Sequence, residues 1–196
     1  MFSSLKLRQK SPVAVAAAGD SKPDEGQSVS QALFKQWMAE HEKMLRHLIC
    51  GFEAKPALQE ELFQDIALNI WQAMPKFRQD AGVKTFVARI AHNILVTHVA
   101  KSVRTVKTEH GEQAYHQQAA TDVTPYQALD QKQRQQRLSC AIRQLKLEQR
   151  QVITLALEGM SYQEMADILC LSVNLVGVRL QRGKTALSQL LKVQEG

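Results

Sequence analysis

The sequence predicts an all-α protein of two small helical domains joined by a flexible linker, with a helix-turn-helix as the C-terminal domain. Three observations predict it. Apolar residues recur at helical stride on both sides of a polar middle stretch, sustained apolar/polar alternation is missing, and only five prolines interrupt 196 residues. A hydrophobic share of 44% suffices for packed cores. Lysine and arginine exceed aspartate and glutamate by 25 to 19, a net charge of +6 that favours a polyanionic partner.

Residues 1–28 read as a disordered basic tail rich in Ser, Pro, Gly and Lys. Lys6, Arg8 and Lys10 precede the apolar stretch Val13 to Ala18 in the manner of a secretory leader. That stretch opens beside Pro12, is short and mostly alanine, and lacks the Leu, Ile or Phe that a leader needs. The three cysteines, Cys50, Cys140 and Cys170, are far apart and form no CxxC pair, so neither a disulfide framework nor a zinc site is expected. A reducing cytoplasm fits that usage. His41, His47 and Cys50 do not make a metal motif, His92 and His98 are not at i, i+4, and no cofactor is expected.

The first domain is expected over residues 29–104. Its clearest helix opens at Pro56, a residue suited to a first helical turn, and carries Leu58, Leu62, Ile66, Ile70 and Met74 at a stride of four. The stripe is core, and its opposite side is polar and acidic. After a break from Pro75 to Gly82 a second long helix packs through Val83, Phe86, Val87, Ile90, Ala91, Ile94 and Leu95. Rotation by about 100° per residue gathers Lys84, Thr85, Arg89 and His92 on its other side, with Asn93 at the edge. Five basic residues and no acid lie between Ala81 and Thr108, which makes that side a positive stripe.

Residues 105–132 lose the pattern to Thr, Gln, His, Asp and a Thr-Pro pair and read as the linker. Two bodies on such a tether can settle at separate places on an extended partner. Residues 133–196 recover helical period as Leu138 to Leu147, Gln149 to Glu158 closed by Gly159, and a helix opened by the capping box Ser161-Tyr162-Gln163-Glu164. Ser172 then caps a last helix with Val173, Val176, Leu180, Leu187, Leu190 and Leu191 inward and a basic outer side. Two helices on a tight turn, the second basic, are a helix-turn-helix.

Taken in order, these segments resemble the two-domain, extracytoplasmic-function type of sigma factor of the sigma-70 family. Glu60 to Trp71 is similar to the helix with which that family grips the clamp of the polymerase largest subunit. The resemblance implies polymerase contacts from Glu61, Gln64, Asp65, Leu68, Asn69 and Gln72. Pro75 to Asp80 with Thr85-Phe86 and Arg89-Ile90-Ala91-His92-Asn93 resembles the −10 reading segment. Phe77, Arg78, Asp80, Lys84, Thr85, Arg89, His92 and Asn93 then stand as its candidates, because holding unstacked bases takes aromatic faces, amides and cations. Leu145, Glu148-Gln149-Arg150, Gly159 to Ala166 and Arg179 to Arg182 resemble the −35 reading domain.

That last part implies DNA contacts from Ser172, Asn174, Leu175, Gly177, Val178, Arg179, Gln181, Arg182 and Lys184. Leu175 and Val178 suit thymine methyls, Asn174 a base edge or phosphate, and Arg179, Arg182 and Lys184 phosphates. The chain departs from the family at Lys146, where Pro is usual, at Phe86, where Trp is usual, and at Cys170, where Gly is usual. Gly177 and Val178 stand where polar residues are common.

The resemblance implies core RNA polymerase, through its beta and beta-prime subunits, promoter DNA and an anti-sigma factor as partners, with no small-molecule substrate. It implies promoter recognition and opening without catalysis. A phosphate loop, a nucleophile elbow and paired catalytic carboxylates are all missing from the sequence, which leaves no enzyme motif. The alternative is a conventional dimeric helix-turn-helix regulator with the first domain as a sensor.

Overall fold

A computed structural model describes residues 24–77, 82–108 and 126–193. They form α1 (Asp24–Phe52), α2 (Pro56–Ala73), a 3-10 turn (Met74–Lys76), α3 (Val83–Thr108), α4 (Tyr126–Gln144), α5 (Leu147–Leu157), α6 (Tyr162–Leu169) and α7 (Val173–Val193), with no strand among the described residues. The helix α1 starts at Asp24, inside the segment read as tail, and its apolar residues escaped the sequence reading because polar and charged residues interrupt them. Likewise α3 runs to Thr108 and α4 starts at Tyr126, so helices enter both ends of the expected linker, whose remainder lies outside the described residues.

The N-terminal helices α1, α2 and α3 close on one core. Leu45, Ile66 and Leu95 are fully buried in it, one from each helix. Trp37, Phe77 and Phe86 complete its edge, with edge-on ring contacts of 5.2 Å for Trp37–Phe77 and 6.0 Å for Trp37–Phe86. Each such aliphatic side chain contributes about 1.5–3 kcal/mol by leaving water. The turn between α1 and α2 is tied down by Glu53, whose carboxylate accepts from the Ala54 and Lys55 amides at 2.7 and 2.8 Å and meets His98 Nε2 on α3 at 2.8 Å.

The C-terminal helices have their own core, in which Val152 and Leu155 of α5, Met165 of α6 and Val176 of α7 are fully enclosed. The helix α4 ends at Gln144, short of the expected Leu147, because Lys146 turns to φ −56°, ψ 144° to start α5. Proline fits that φ, which gives the family's usual residue there a physical reason. Arg150 replaces the lost helical bonds by donating to the Arg143 and Leu145 carbonyls. Gly183 lets α7 approach α5 closely: a Cβ there would stand 2.9 Å from Ile153 Cγ1.

The two halves also pack on each other. A Cβ on Gly51 of α1 would sit 2.7 Å from Thr154 Cγ2 of α5, Arg143 donates to the Cys50 carbonyl at 2.7 Å, and the Arg150 guanidinium lies 5.7 Å from the Phe52 ring. The two halves are thus in contact in this structure.

Candidate nucleic-acid and polymerase interfaces

On α2, the residues between the core positions Leu62, Ile66 and Ile70 point outward. Glu61, Gln64, Asp65, Leu68, Asn69 and Gln72 are all exposed, and their spacing sets them on one side of the helix. The Asn69 side-chain amide donates back to the Asp65 carbonyl at 2.8 Å. Leu68 is 53% exposed, an apolar spot in a polar, partly acidic surface, which is the composition of a protein-binding patch. Trp71 at the margin is exposed, its ring 5.3 Å from that of Phe34 and edge-on to it.

The basic side of α3 is different. Arg89 and Asn93 are exposed, but Thr85 and His92 are buried, contrary to the solvent-facing positions that the helical rotation gave them. For Thr85 the reason is the C-terminal half, which also meets its neighbours on that side. Thr85 Oγ1 donates to Glu164 Oε1 on α6 at 3.4 Å, Arg89 donates to the Asp167 carbonyl of α6 at 2.7 Å, and Lys84 Nζ donates to the Glu158 carbonyl at 2.7 Å. Glu158 caps α5, and Asp167 is in the last turn of α6, so both cations sit on carbonyls at the negative ends of helix dipoles. Oxygens at such ends hold cations much as phosphate oxygens do. Burial lowers the pKa of His92 below the ordinary histidine value, with the neighbouring Asn93 side chain opposing the shift.

Phe77 is not free to stack on a base in this arrangement, since it is wedged between Trp37 and Phe86, 4.8 Å from the latter ring. Arg78 and Asp80 lie outside the described residues.

In the helix-turn-helix, the capping box is formed as read: the Glu164 amide donates to Ser161 Oγ at 3.2 Å and the Ser161 amide to Glu164 Oε2 at 2.8 Å. The Ser161 amide first, and then the Ser161 hydroxyl, which donates to Glu164 Oε2 at 2.8 Å, hold the Glu164 carboxyl below the usual carboxylate range. Cys170, in the turn, has φ 53° and ψ 46°, the left-handed region where glycine is favoured. Ser172 Oγ accepts from the Leu175 amide at 3.3 Å, and α7 follows.

On α7, Ser172, Asn174, Leu175, Val178, Gln181, Arg182 and Lys184 are exposed. Arg179 is half-buried with an oxygen of Glu148 3.6 Å away. A Cβ on Gly177 would meet nothing closer than Tyr162 Cε2 at 3.7 Å, so close packing does not demand that glycine. The contact residues that sequence reasoning missed are on the joint: Gly51, Arg143 and Thr154. Only the fold juxtaposes them, and no local motif marks them.

Comparison with known families and structures follows the same division. The profile of sigma-70 region 2 matches residues 37–105, and that of sigma-70 region 4 matches residues 135–187. The chain is similar to the sigma factor RpoE solved with the anti-sigma factor NepR from Bartonella quintana, at 25% identity and a TM-score of 0.66 over 82% of this chain and 97% of that one. It is also similar to CnrH solved with the cytosolic domain of CnrY, at 25% identity and a TM-score of 0.58 over 86% of this chain and 94% of that one. Among curated proteins none matches. Both halves find the same kind of protein, and nothing supports a conventional dimeric regulator.

Proposed function

This chain belongs to the sigma-70 family, as a transcription initiation factor of the extracytoplasmic-function type that binds core RNA polymerase and promoter DNA, and from that premise we propose a division of labour among its surfaces. The exposed side of α2 docks on the polymerase clamp, the basic side of α3 with the segment before it reads and holds the opened −10 element, and α7 reads the −35 element. The region 4 match, 135–187, falls within the limits 133–196, and the region 2 match, 37–105, falls within 29–104 but for its last residue, which supports that division.

The single observation that carries the reading is the order of region 2 and region 4 along one chain, each supplying a surface of suitable chemistry. On α2 that chemistry is acidic and amide with an apolar centre. On α3 and α7 it is cations beside amides. On α7 the apolar Leu175 and Val178, 39% and 46% exposed, suit thymine methyls, and Arg182 and Lys184 suit phosphates. The protein itself catalyses nothing: it supplies position and base capture, a cost of a few kcal/mol that polymerase contacts help to recover. No described helix is long and apolar enough to cross a membrane. Action in the cytoplasm, where the polymerase is, follows from the proposed role.

An anti-sigma factor is the remaining partner. The structural relatives RpoE and CnrH were each solved with a protein partner, described for RpoE as an anti-sigma factor, and a partner of that kind is proposed here. Association with core polymerase tests the docking surface directly. The Asp65→Arg variant should keep its helix content and lose binding to core by at least about tenfold, a change of about 1.4 kcal/mol. Undiminished binding would remove Asp65 from the docking side.

A further inference from the structure

We propose that this chain selects its upstream promoter element by the C5-methyl groups of two closely spaced thymines, and that Gly177 is the residue that makes the contact possible. The inference rests on the functional reading above and deepens it: α7 is the DNA-reading helix there, and what is added is the chemistry by which it tells one sequence from another.

Val176 and Leu180 are buried in the C-terminal core, and Val178 stands exposed on the opposite side of α7. Three and four positions away lie Leu175, Asn174, Gln181 and Arg182, all exposed, so the outer side has an apolar centre with amides and a cation around it. At that centre neither Val178 nor Leu175 has a donor or acceptor with which to read a base edge. The apolar group that a base pair presents in the major groove is the C5-methyl of thymine. Cβ atoms three residues apart on a helix are about 5–6 Å apart and base pairs rise by about 3.4 Å, so the two side chains reach methyls one or two steps apart.

The glycine is the second observation. Glycine weakens a helix interior, yet nothing in the fold asks for it at 177, where an added Cβ would meet only Tyr162 Cε2, at 3.7 Å. Gly183 is the contrast on the same helix, because a Cβ there would come within 2.9 Å of Ile153 Cγ1. One glycine serves packing and the other keeps the outer surface low. A valine side chain extends one carbon beyond Cβ, so Val178 meets a methyl only if the backbone comes close, and a longer side chain at 177 would hold the helix off. Being β-branched in a helix, Val178 keeps essentially one rotamer and loses little freedom on contact. The surrounding charge suits DNA as the occupant: between Ser172 and Thr185 stand Arg179, Arg182 and Lys184 and no acid.

Deoxyuridine lacks only the C5-methyl of thymidine and keeps its pairing, which isolates the group. Holoenzyme assembled from the full chain and core polymerase is used to select duplexes from a random pool, and each upstream thymine of the selected duplexes is then replaced singly by deoxyuridine. Binding should weaken about fourfold at each of two positions, the loss expected for one methyl left unburied, and stay unchanged at the others. At those two positions 5-methylcytosine should bind more tightly than cytosine, and thymine most tightly of the three. Val178→Ala should erase the difference between thymine and deoxyuridine at one position and leave it at the other. Gly177→Lys should erase it at both, with helix content by circular dichroism no lower than that of the unaltered chain.

Equal affinity for thymine and deoxyuridine at every upstream position overturns the inference and leaves the functional reading standing; the apolar side of α7 would then serve a protein partner. A 5-methylcytosine that binds more tightly than thymine overturns thymine as the base read. Undiminished discrimination in Val178→Ala or in Gly177→Lys overturns the role given to that residue. If no duplex is enriched over core polymerase alone, the functional reading itself fails.

Discussion

Two neighbouring helices of the N-terminal half, α2 and α3, share one core and show opposite fates for their outer sides. The α2 side, acidic and amide-rich, is open along its whole length from Glu61 to Gln72, whereas the basic α3 side is held by the helix-turn-helix through Lys84, Thr85 and Arg89. Charge decides the difference. Backbone carbonyls at the ends of α5 and α6 attract ammonium and guanidinium groups and offer nothing to carboxylates. The surface proposed to hold DNA is therefore also one that another part of the same chain contacts.

The comparison can be broken most severely at Arg89. Arg89→Glu places a carboxylate against the Asp167 carbonyl, and under the proposed −10 role of Arg89 it also sets that carboxylate against a DNA strand in the polymerase complex. Promoter opening should fall by two orders of magnitude or so, about 2.7 kcal/mol, while association with core stays within twofold. Parallel loss of both would show that the two sides are not separate.

Acid should loosen the folded form. Burial depresses the pKa of His92, and also that of His41, where Lys84 adds to the effect and Glu40 opposes it. A depressed histidine favours the packed state while neutral, so its contribution is present above the ordinary value of 6.5 and is lost as pH falls through the depressed folded value. The Tm should therefore fall from pH 7 toward pH 5, and His92→Leu should flatten part of that slope. An unchanged slope in the variant would mean that His92 is not a group that titrates with unfolding.

Smaller effects separate the helix-turn-helix from its partner half. Arg182→Ala should weaken all promoter variants alike and lower the salt slope of binding by about one. A shift in base preference would contradict a phosphate contact. Least of all, Cys170→Gly should stabilise the C-terminal half by up to about 1 kcal/mol by removing left-handed strain, measured by thermal or urea unfolding. A loss of stability would point to packing by the thiol that outweighs the backbone.

Local chemistry made much of this legible in the sequence. The four-residue stride from Leu58 to Met74 announced α2 and, by subtraction, its outer side, and the Ser161 to Glu164 spacing fixed the start of α6 to the residue. The helix α1 was missed because Trp37, Leu45 and Leu48 are separated by His41, Glu42 and Lys43, a pattern that reads as polar until its partners are known. His92 and Thr85 were read as surface since helical rotation reports which side a residue is on, not what lies against that side. The joint at Gly51 and Thr154 was invisible for the same reason, its residues being 103 positions apart and meeting only through tertiary packing.

The account stands on one measurement above the rest: transcript starts mapped with the purified chain, core polymerase and genomic fragments. Discrete starts that share an element at each of two upstream positions, absent with core alone and lost with Asp65→Arg, are the result expected of a polymerase-bound initiation factor reading DNA with both halves. Starts no different from those of core alone, or DNA selection by the chain that is as tight and specific without polymerase, would contradict it.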